Sequence, residues 1–336
     1  MSSPTPVQSF LGGVGLALSV HLLMRLNGNV LGVSGFLHRA VKGDKEASSA
    51  ILGIILGGVI IGLLERGRPL AAVTNFPHTL VAGFLVGLGT KLSNGCTSGH
   101  MLCGVSRLSL RSFVATITFF ITAIATSNVT HRNLPAAQTF DWTLGEYGKS
   151  LLLIQAFLLV VILSFFLLAP SGQEEDTAAP SRDETRPLRQ ELSSPRRSFR
   201  YLAFFITSVE FALALRLSNL VDPVRVVSFL LLPHHPAFDP SLAFLAIGVL
   251  PLTTLLYRYN RGPEKAHISG HWSIPKGGEI DAKLIIGAAV FGVGWAIAGI
   301  CPGPGLVNSG RAIVAGTGLA QTIGWVVAVI AGGMIT

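Results

Sequence analysis

Two short segments of this chain set a thiol among glycines and hydroxyls. The first is Asn94-Gly95-Cys96-Thr97-Ser98-Gly99-His100, which continues through Cys103-Gly104 to Arg107. The second is Gly299-Ile300-Cys301-Pro302-Gly303-Pro304-Gly305. Glycine lets backbone approach backbone or ligand closely. Thr97 and Ser98 are natural N-caps for a following short helix, and Pro302 suits the first position of another. The free N–H groups at such helix starts face small anions. A thiol is a weak, polarisable donor, poorly matched to a hard oxyanion of the sulfate kind but suited to a terminal sulfur atom. These residue types therefore point to a small sulfur-containing anion, with Asn94, Gly95, Cys96, Thr97, Ser98, Gly99, His100, Cys103, Cys301 and Gly303 as its expected contacts.

The competing reading is that cysteines among apolar residues pack as small hydrophobes. The matched placement of Cys96 and Cys301 weighs against it, whereas Cys103 has no counterpart in the second segment. His100 has two readings of equal standing, a donor on the anion's path or a ring hydrogen-bonded to local backbone. Zinc is not expected, because Cys96, His100 and Cys103 match no closed tetrahedral set, and no cofactor is implied. On one helix Cys96 and Cys103 stand about 10 Å apart along the axis, too far for a disulfide. Glu65, Glu210, Arg25, Lys91 and Arg216 lie within or at the ends of apolar runs, where charge is costly and is paired, functional or snorkelled to headgroups. Arg107 and Arg311 each follow a cysteine segment, facing either substrate or lipid phosphate.

The elements that position these residues are membrane helices. Half of the 336 residues are hydrophobic, 12% are charged, and the mean hydropathy is +0.59. Apolar runs near the roughly 20 residues that cross a bilayer recur along the whole chain, which excludes a single anchor. Nine spans are expected, at 10–25, 48–64, 79–92, 112–128, 151–168, 201–217, 242–257, 284–300 and 319–335. Shorter apolar pieces broken by Gly or Pro, at 30–37, 98–107, 223–232 and 302–314, read as half-helices that enter the membrane and turn back. Residues 171–200, with six Arg, six acidic residues and three Pro, read as a disordered charged linker between a first membrane repeat with its connecting helix, 1–170, and a second repeat, 201–336. If the spans alternate sides, the loops after the odd spans hold sixteen Lys and Arg. That bias places them in the cytoplasm, the N-terminus outside and the C-terminus inside, and it reads the net charge of +8 as topology rather than nucleic-acid affinity.

An internal repeat joins the two segments. Gly87, Gly89 and Cys96 recur as Gly292, Gly294 and Cys301, each 205 residues later. Five spans precede the linker, so the second repeat starts from the opposite face and the repeats are inverted. The fold class is thus an all-α polytopic membrane protein of about nine transmembrane helices plus re-entrant half-helices in two inverted repeats. In such folds broken helices from both halves meet near the midplane, where substrate binds.

The two cysteine segments, with Arg107-Leu108-Ser109 after the first and Leu217-Ser218-Asn219-Leu220-Val221-Asp222-Pro223 in the second half, resemble the YeeE/YedE family of sulfur transport proteins. The resemblance covers the chain apart from 171–200. It implies an hourglass-like helical protein of the cell membrane that takes up thiosulfate, with thiols at the constriction hydrogen-bonding the passing anion. Cys96 and Cys301 fall on the matching positions. A further cysteine that the family pattern often carries near the first span is absent, with Leu23 or Met24 in that region. The resemblance also implies selenium compounds as alternative cargo and a small cytoplasmic sulfur-carrier protein as a partner. A membrane thiol enzyme passing sulfur on as a cysteine persulfide is the rival reading, although no nucleophile, base and orienting group stand together at recognised spacing.

Overall fold

A computed structural model describes residues 3–168, 195–268 and 272–335. Twelve α-helices are present among them: α1 (Pro6–Asn27), α2 (Val33–Val41), α3 (Lys45–Leu64), α4 (Phe76–Leu92), α5 (Leu110–Thr130), α6 (Gly145–Leu168), α7 (Pro195–Leu217), α8 (Pro223–Leu230), α9 (Ser241–Asn260), α10 (Ala282–Ala298), α11 (Pro302–Ala315) and α12 (Leu319–Met334). A π-helical turn, Ser98–Gly104, and a 3-10 turn, Val105–Arg107, join α4 to α5.

Each expected span falls on a helix. Seven segments are long and apolar enough to cross a membrane: α1, α3, α5, α6, α7, α9 and the stretch Ala282–Ala315 that contains α10 and α11. Helices α4 and α12, of 17 and 16 residues, are shorter. The four short apolar pieces form α2, the π-helical and 3-10 turns, α8 and α11, with α2 displaced a few residues toward the C-terminus of its expected position. Of the charged stretch 171–200, residues 195–200 are the first turns of α7, where Arg200 pairs with Glu46 at 2.7 Å; residues 171–194 lie outside the described residues.

The packing repeats with the halves exchanged. Helix α1 packs on α9 as α7 packs on α3, and α4 packs on α12 as α10 packs on α5. The paired counterparts run antiparallel: Ser9 near the start of α1 donates to the Ser218 carbonyl beyond the end of α7 at 3.2 Å, while Asn27 at the end of α1 donates to the Arg200 carbonyl at 3.1 Å. An inverted repeat requires this arrangement.

The repeated glycines explain how the helices come so close. A Cβ on Gly87 would stand 2.0 Å from the Val329 carbonyl of α12, and one on Gly292 2.1 Å from Thr122 of α5. Gly89 and Gly294 both sit at the α4–α10 crossing, where a Cβ would lie 2.4 Å from the Phe291 nitrogen and 2.7 Å from the Ala82 carbonyl. Inside a bilayer, where lipid offers no hydrophobic drive between helices, such small residues permit the backbone contact that holds helices together.

Candidate functional site

Both cysteine segments leave a membrane helix through a left-handed residue and turn back into the protein. After α4 the turn is made by Asn94, at φ 57°, and Gly95, whose N–H donates to the Thr90 carbonyl at 2.9 Å. After α10 it is made by Gly299, at φ 68°, whose N–H donates to Trp295. A Cβ on Gly299 would lie 2.5 Å from the Pro223 carbonyl at the start of α8, so glycine serves there both the backbone angle and the contact. Cys301 is then the N-cap of α11, with Pro302 in the first turn as the sequence predicts.

Thr97 and Ser98 do not cap the helix that follows them. Thr97 already has helical backbone angles and makes no side-chain cap, because the helical turn starts one step earlier, with the His100 N–H bonded to the Cys96 carbonyl at 2.8 Å. The Ser98 hydroxyl instead accepts the first N–H of α2, from Val33, at 3.2 Å. It therefore satisfies one orphan donor of a different half-helix.

Cys96, Thr97, Ser98, Cys301 and Gly303 line one buried cavity of about 20 Å³, closed by Phe211, Leu215 and other apolar side chains. The Cys96 thiol is 3.2 Å from the Ser98 hydroxyl, and the Thr97 side chain interacts with the Cys301 thiol. This volume suits about one water molecule, so the junction of the two repeats is shut to a polyatomic anion in this conformation. All three cysteines are free and buried. Cys103 lines a separate small cavity with Val20, Met24, Arg107 and Tyr257, its thiol directed at the Leu31 carbonyl 3.8 Å away.

Asn94, Gly95, Gly99 and His100 line neither of these cavities but a vestibule of about 680 Å³. His100 is hydrogen-bonded locally: its Nε2–H donates to the Ser93 carbonyl at 3.2 Å, which leaves Nδ1 of the neutral ring to accept from the Ser112 hydroxyl at 3.3 Å. The ring is thus fixed at the vestibule wall. Four cationic residues, Arg39, Lys91, Arg107 and Arg111, line the vestibule with the imidazoles of His38 and His100, against two acidic residues, Glu279 and Asp281. Among the described residues no group of three His, Cys, Asp or Glu side chains stands close enough to hold a metal ion.

A cluster that sequence reasoning did not assemble lies at the end of α3. The buried Glu65 carboxylate is shared by Arg216 of α7 and Arg311 of α11, the latter bonding one oxygen through both Nη2, at 2.6 Å, and Nε, at 3.0 Å. Asn308 accepts from Arg311 at 2.9 Å and Asn219 from Arg216. Arg311 thus faces a carboxylate, neither substrate nor lipid. Nearby, the buried Arg225 of α8 meets Asp239 at 3.3 Å, and Asp222 caps α8. Glu210, wholly buried in α7, has no hydrogen-bond partner for either carboxylate oxygen.

Comparison with known proteins agrees with this architecture. A family described as "Sulphur transport" matches residues 6–125, and a "Family of unknown function (DUF6691)" matches 199–336, so the two matches flank α6 and the charged stretch. A "Probable transporter" of Xylella fastidiosa (strain 9a5c) is 41% identical over 120 residues, 35% of this chain and 89% of that protein. A "Probable transporter" of Xylella fastidiosa (strain Temecula1 / ATCC 700964) is 28% identical over 138 residues, 41% of this chain and 88% of its own length. A protein called "Thiosulfate transporter TsuA", from Spirochaeta thermophila, is 36% identical over 75 residues, 21% of this chain and 22% of that one. These relatives are named as transporters, the matched family is one of sulfur transport and the helices here suit a membrane, so this chain is a membrane transport protein rather than an enzyme. With its paired cysteine segments and its match to the sulfur-transport model, the chain belongs to the YeeE/YedE family of sulfur transport proteins.

Proposed function

We propose that this protein carries thiosulfate across the membrane, with the Cys96–Cys301 cavity as the constriction that the anion crosses. The observation that carries this reading is the convergence of the two matched cysteines, one from each inverted repeat, on a single buried cavity with two hydroxyls. Thiol, hydroxyl and helix N-terminal N–H groups replace hydration water for an anion that has a soft sulfur at one end and oxygens at the other. The name of the Spirochaeta relative supports the choice of substrate.

The vestibule is bounded by the C-terminal ends of α1 and α4 and the N-terminal end of α10, and the Lys and Arg bias of the adjoining loops supports a cytoplasmic position for that face. In this reading the conformation is open inward and sealed outward, and the Arg216–Glu65–Arg311 cluster is part of the seal. Moving a dianion inward against 100 mV costs about 4.6 kcal/mol, so net uptake draws on a gradient or on metabolic consumption.

The test is growth on thiosulfate of cells that lack their own sulfate and thiosulfate uptake systems. The intact chain restores growth, and Cys96→Ala and Cys301→Ala each abolish it while remaining in the membrane at normal levels. Normal growth with both variants would remove the cysteines from the path. No growth with correctly inserted intact protein would exclude thiosulfate as the cargo.

A further inference from the structure

We propose that the vestibule floor is a second anion-binding subsite, in which Arg107 and the first turn of α2 hold the oxygens of a thio-oxyanion while its terminal sulfur turns toward Met24 and Cys103. The inference rests on the transport reading above and assigns to it a site distinct from the Cys96–Cys301 constriction.

Arg107 is the first support. Its Nε and Nη1 are buried and have no hydrogen-bond partner. Guanidinium N–H groups without protein acceptors are costly unless something else supplies the acceptors. Arg107 lines both the vestibule and the small cavity that holds Cys103, as Asn29 does, so its side chain stands at the boundary between them.

The backbone opposite is the second support. Helix α2 starts from Gly32, which brings no side-chain cap, and only the Val33 N–H is taken by Ser98. The following N–H groups, of Ser34 and Gly35, have no acceptor within the helix, and both residues line the vestibule. A Cβ at Gly32, Gly35 or Gly99 would meet nothing within 4 Å. These glycines are therefore not required by packing, unlike those at the helix crossings, and their effect is to leave backbone bare toward the open space. A guanidinium and a helix start in the wall of one cavity can together form an oxyanion site.

The neighbouring charges allow it. Arg39 is paired with Asp44 at 3.3 Å, and Arg111 donates to the Glu279 and Ser93 carbonyls. The two carboxylates of the vestibule, Glu279 and Asp281, are exposed, and Asp281 caps α10. The cavity behind Arg107 sets a thioether and a thiol beside His21, Thr253 and Tyr257, and these polarisable sulfur groups suit a sulfur atom better than a fourth oxygen.

The experiment measures thiosulfate binding to the purified full-length protein in detergent, by calorimetry and by the rise in thermal midpoint. Intact protein is stabilised by thiosulfate and binds sulfate more weakly. Arg107→Gln weakens thiosulfate binding about tenfold to a hundredfold, and Arg107→Lys restores part of it. Without ligand, Arg107→Gln melts no lower than the intact chain, which separates a binding role from a structural one. Gly35→Leu, which has space and improves helix propensity, also weakens binding while keeping the fold. Cys96→Ala retains this binding although it loses uptake. Undiminished binding by both Arg107→Gln and Gly35→Leu would overturn the subsite alone. Equal affinity for sulfate and thiosulfate would overturn the assignment to a thio-oxyanion. Displacement of thiosulfate by phosphatidylglycerol in mixed micelles would give Arg107 to a lipid headgroup instead. Failure of the intact protein both to bind and to import thiosulfate would overturn the transport reading and the subsite with it.

Discussion

Arg107 and Arg311 follow the two cysteine segments in the two repeats, yet their surroundings are opposite. Arg311 is closed off by a carboxylate that it shares with Arg216, and its remaining donors reach Asn308. Arg107 has two buried nitrogens with no partner and borders a vestibule of about 680 Å³. The difference comes from the helix that packs beside each segment. Helix α3 ends in Glu65 next to α11, whereas α9, in the equivalent place, offers Thr253 and Tyr257 to the cavity beside Arg107. A symmetric scaffold thus carries one satisfied and one unsatisfied arginine, and the unsatisfied one stands in the vestibule wall. In the transport reading proposed above, alternating access needs such inequality in any single conformation, because both ends of the path cannot be open together.

The strongest way to break the comparison is to remove Glu65. Glu65→Gln leaves Arg216 and Arg311 buried without their shared anion, and the expected loss is about 3–5 kcal/mol of stability. The removal of Arg107, by contrast, takes away a charge that has no partner to lose. Thermal melts of the two variants, side by side and without ligand, check this. An unchanged midpoint for Glu65→Gln would mean that water replaces the carboxylate and that this end is not sealed.

The repeat itself is tested by Gly87→Ala and Gly292→Ala. Each adds a methyl group within about 2 Å of a neighbouring helix, and each is expected to cost about 1–3 kcal/mol through forced separation of the helices. Because the two glycines perform the same task in the two halves, the losses should be similar, and melting of purified protein measures both. A large loss at one position with none at the other would show that the halves pack by different rules despite the shared pattern. Gly35, where a Cβ meets nothing, is the internal control.

Much of this architecture was legible in the sequence. The spacing of Gly87, Gly89 and Cys96, repeated 205 residues on, reports helix crossings because close approach in a membrane demands small residues at fixed places. The apolar runs gave the helices because lipid leaves the backbone few other choices. The sorting of the site residues was not legible. Asn94 through His100 read as one continuous motif, but a left-handed turn at Asn94 and a helical turn beginning at Cys96 send alternate parts to different cavities. The partners of Arg311 and Arg216 were also hidden, since Glu65 lies 246 and 151 residues away in sequence. Only the folded arrangement of α3, α7 and α11 brings them together.

The smallest expected effect belongs to the open end, where Glu264 is clipped between Lys276 at 2.9 Å and Arg261 at 3.2 Å. The composition resembles that of the Glu65 cluster, one carboxylate between two cations, but every member here is exposed to solvent. The hydrogen bond from the Lys276 ammonium holds the Glu264 carboxyl below its ordinary value of 4.5. A carboxylate whose folded pKa is depressed adds stability above its unfolded pKa and loses it as pH falls through the folded value. Melting should therefore be insensitive to Glu264→Gln at neutral pH and moderate salt, where exposed pairs are screened and contribute little. Any difference between the intact chain and Glu264→Gln should appear only at low salt and vanish once the pH falls below the depressed pKa. A substantial loss on Glu264→Gln at neutral pH and high salt would show that the Glu264–Lys276 contact locks the vestibule. In that case the open end would be held as firmly as the sealed one, and the contrast between the two ends would lie in access alone.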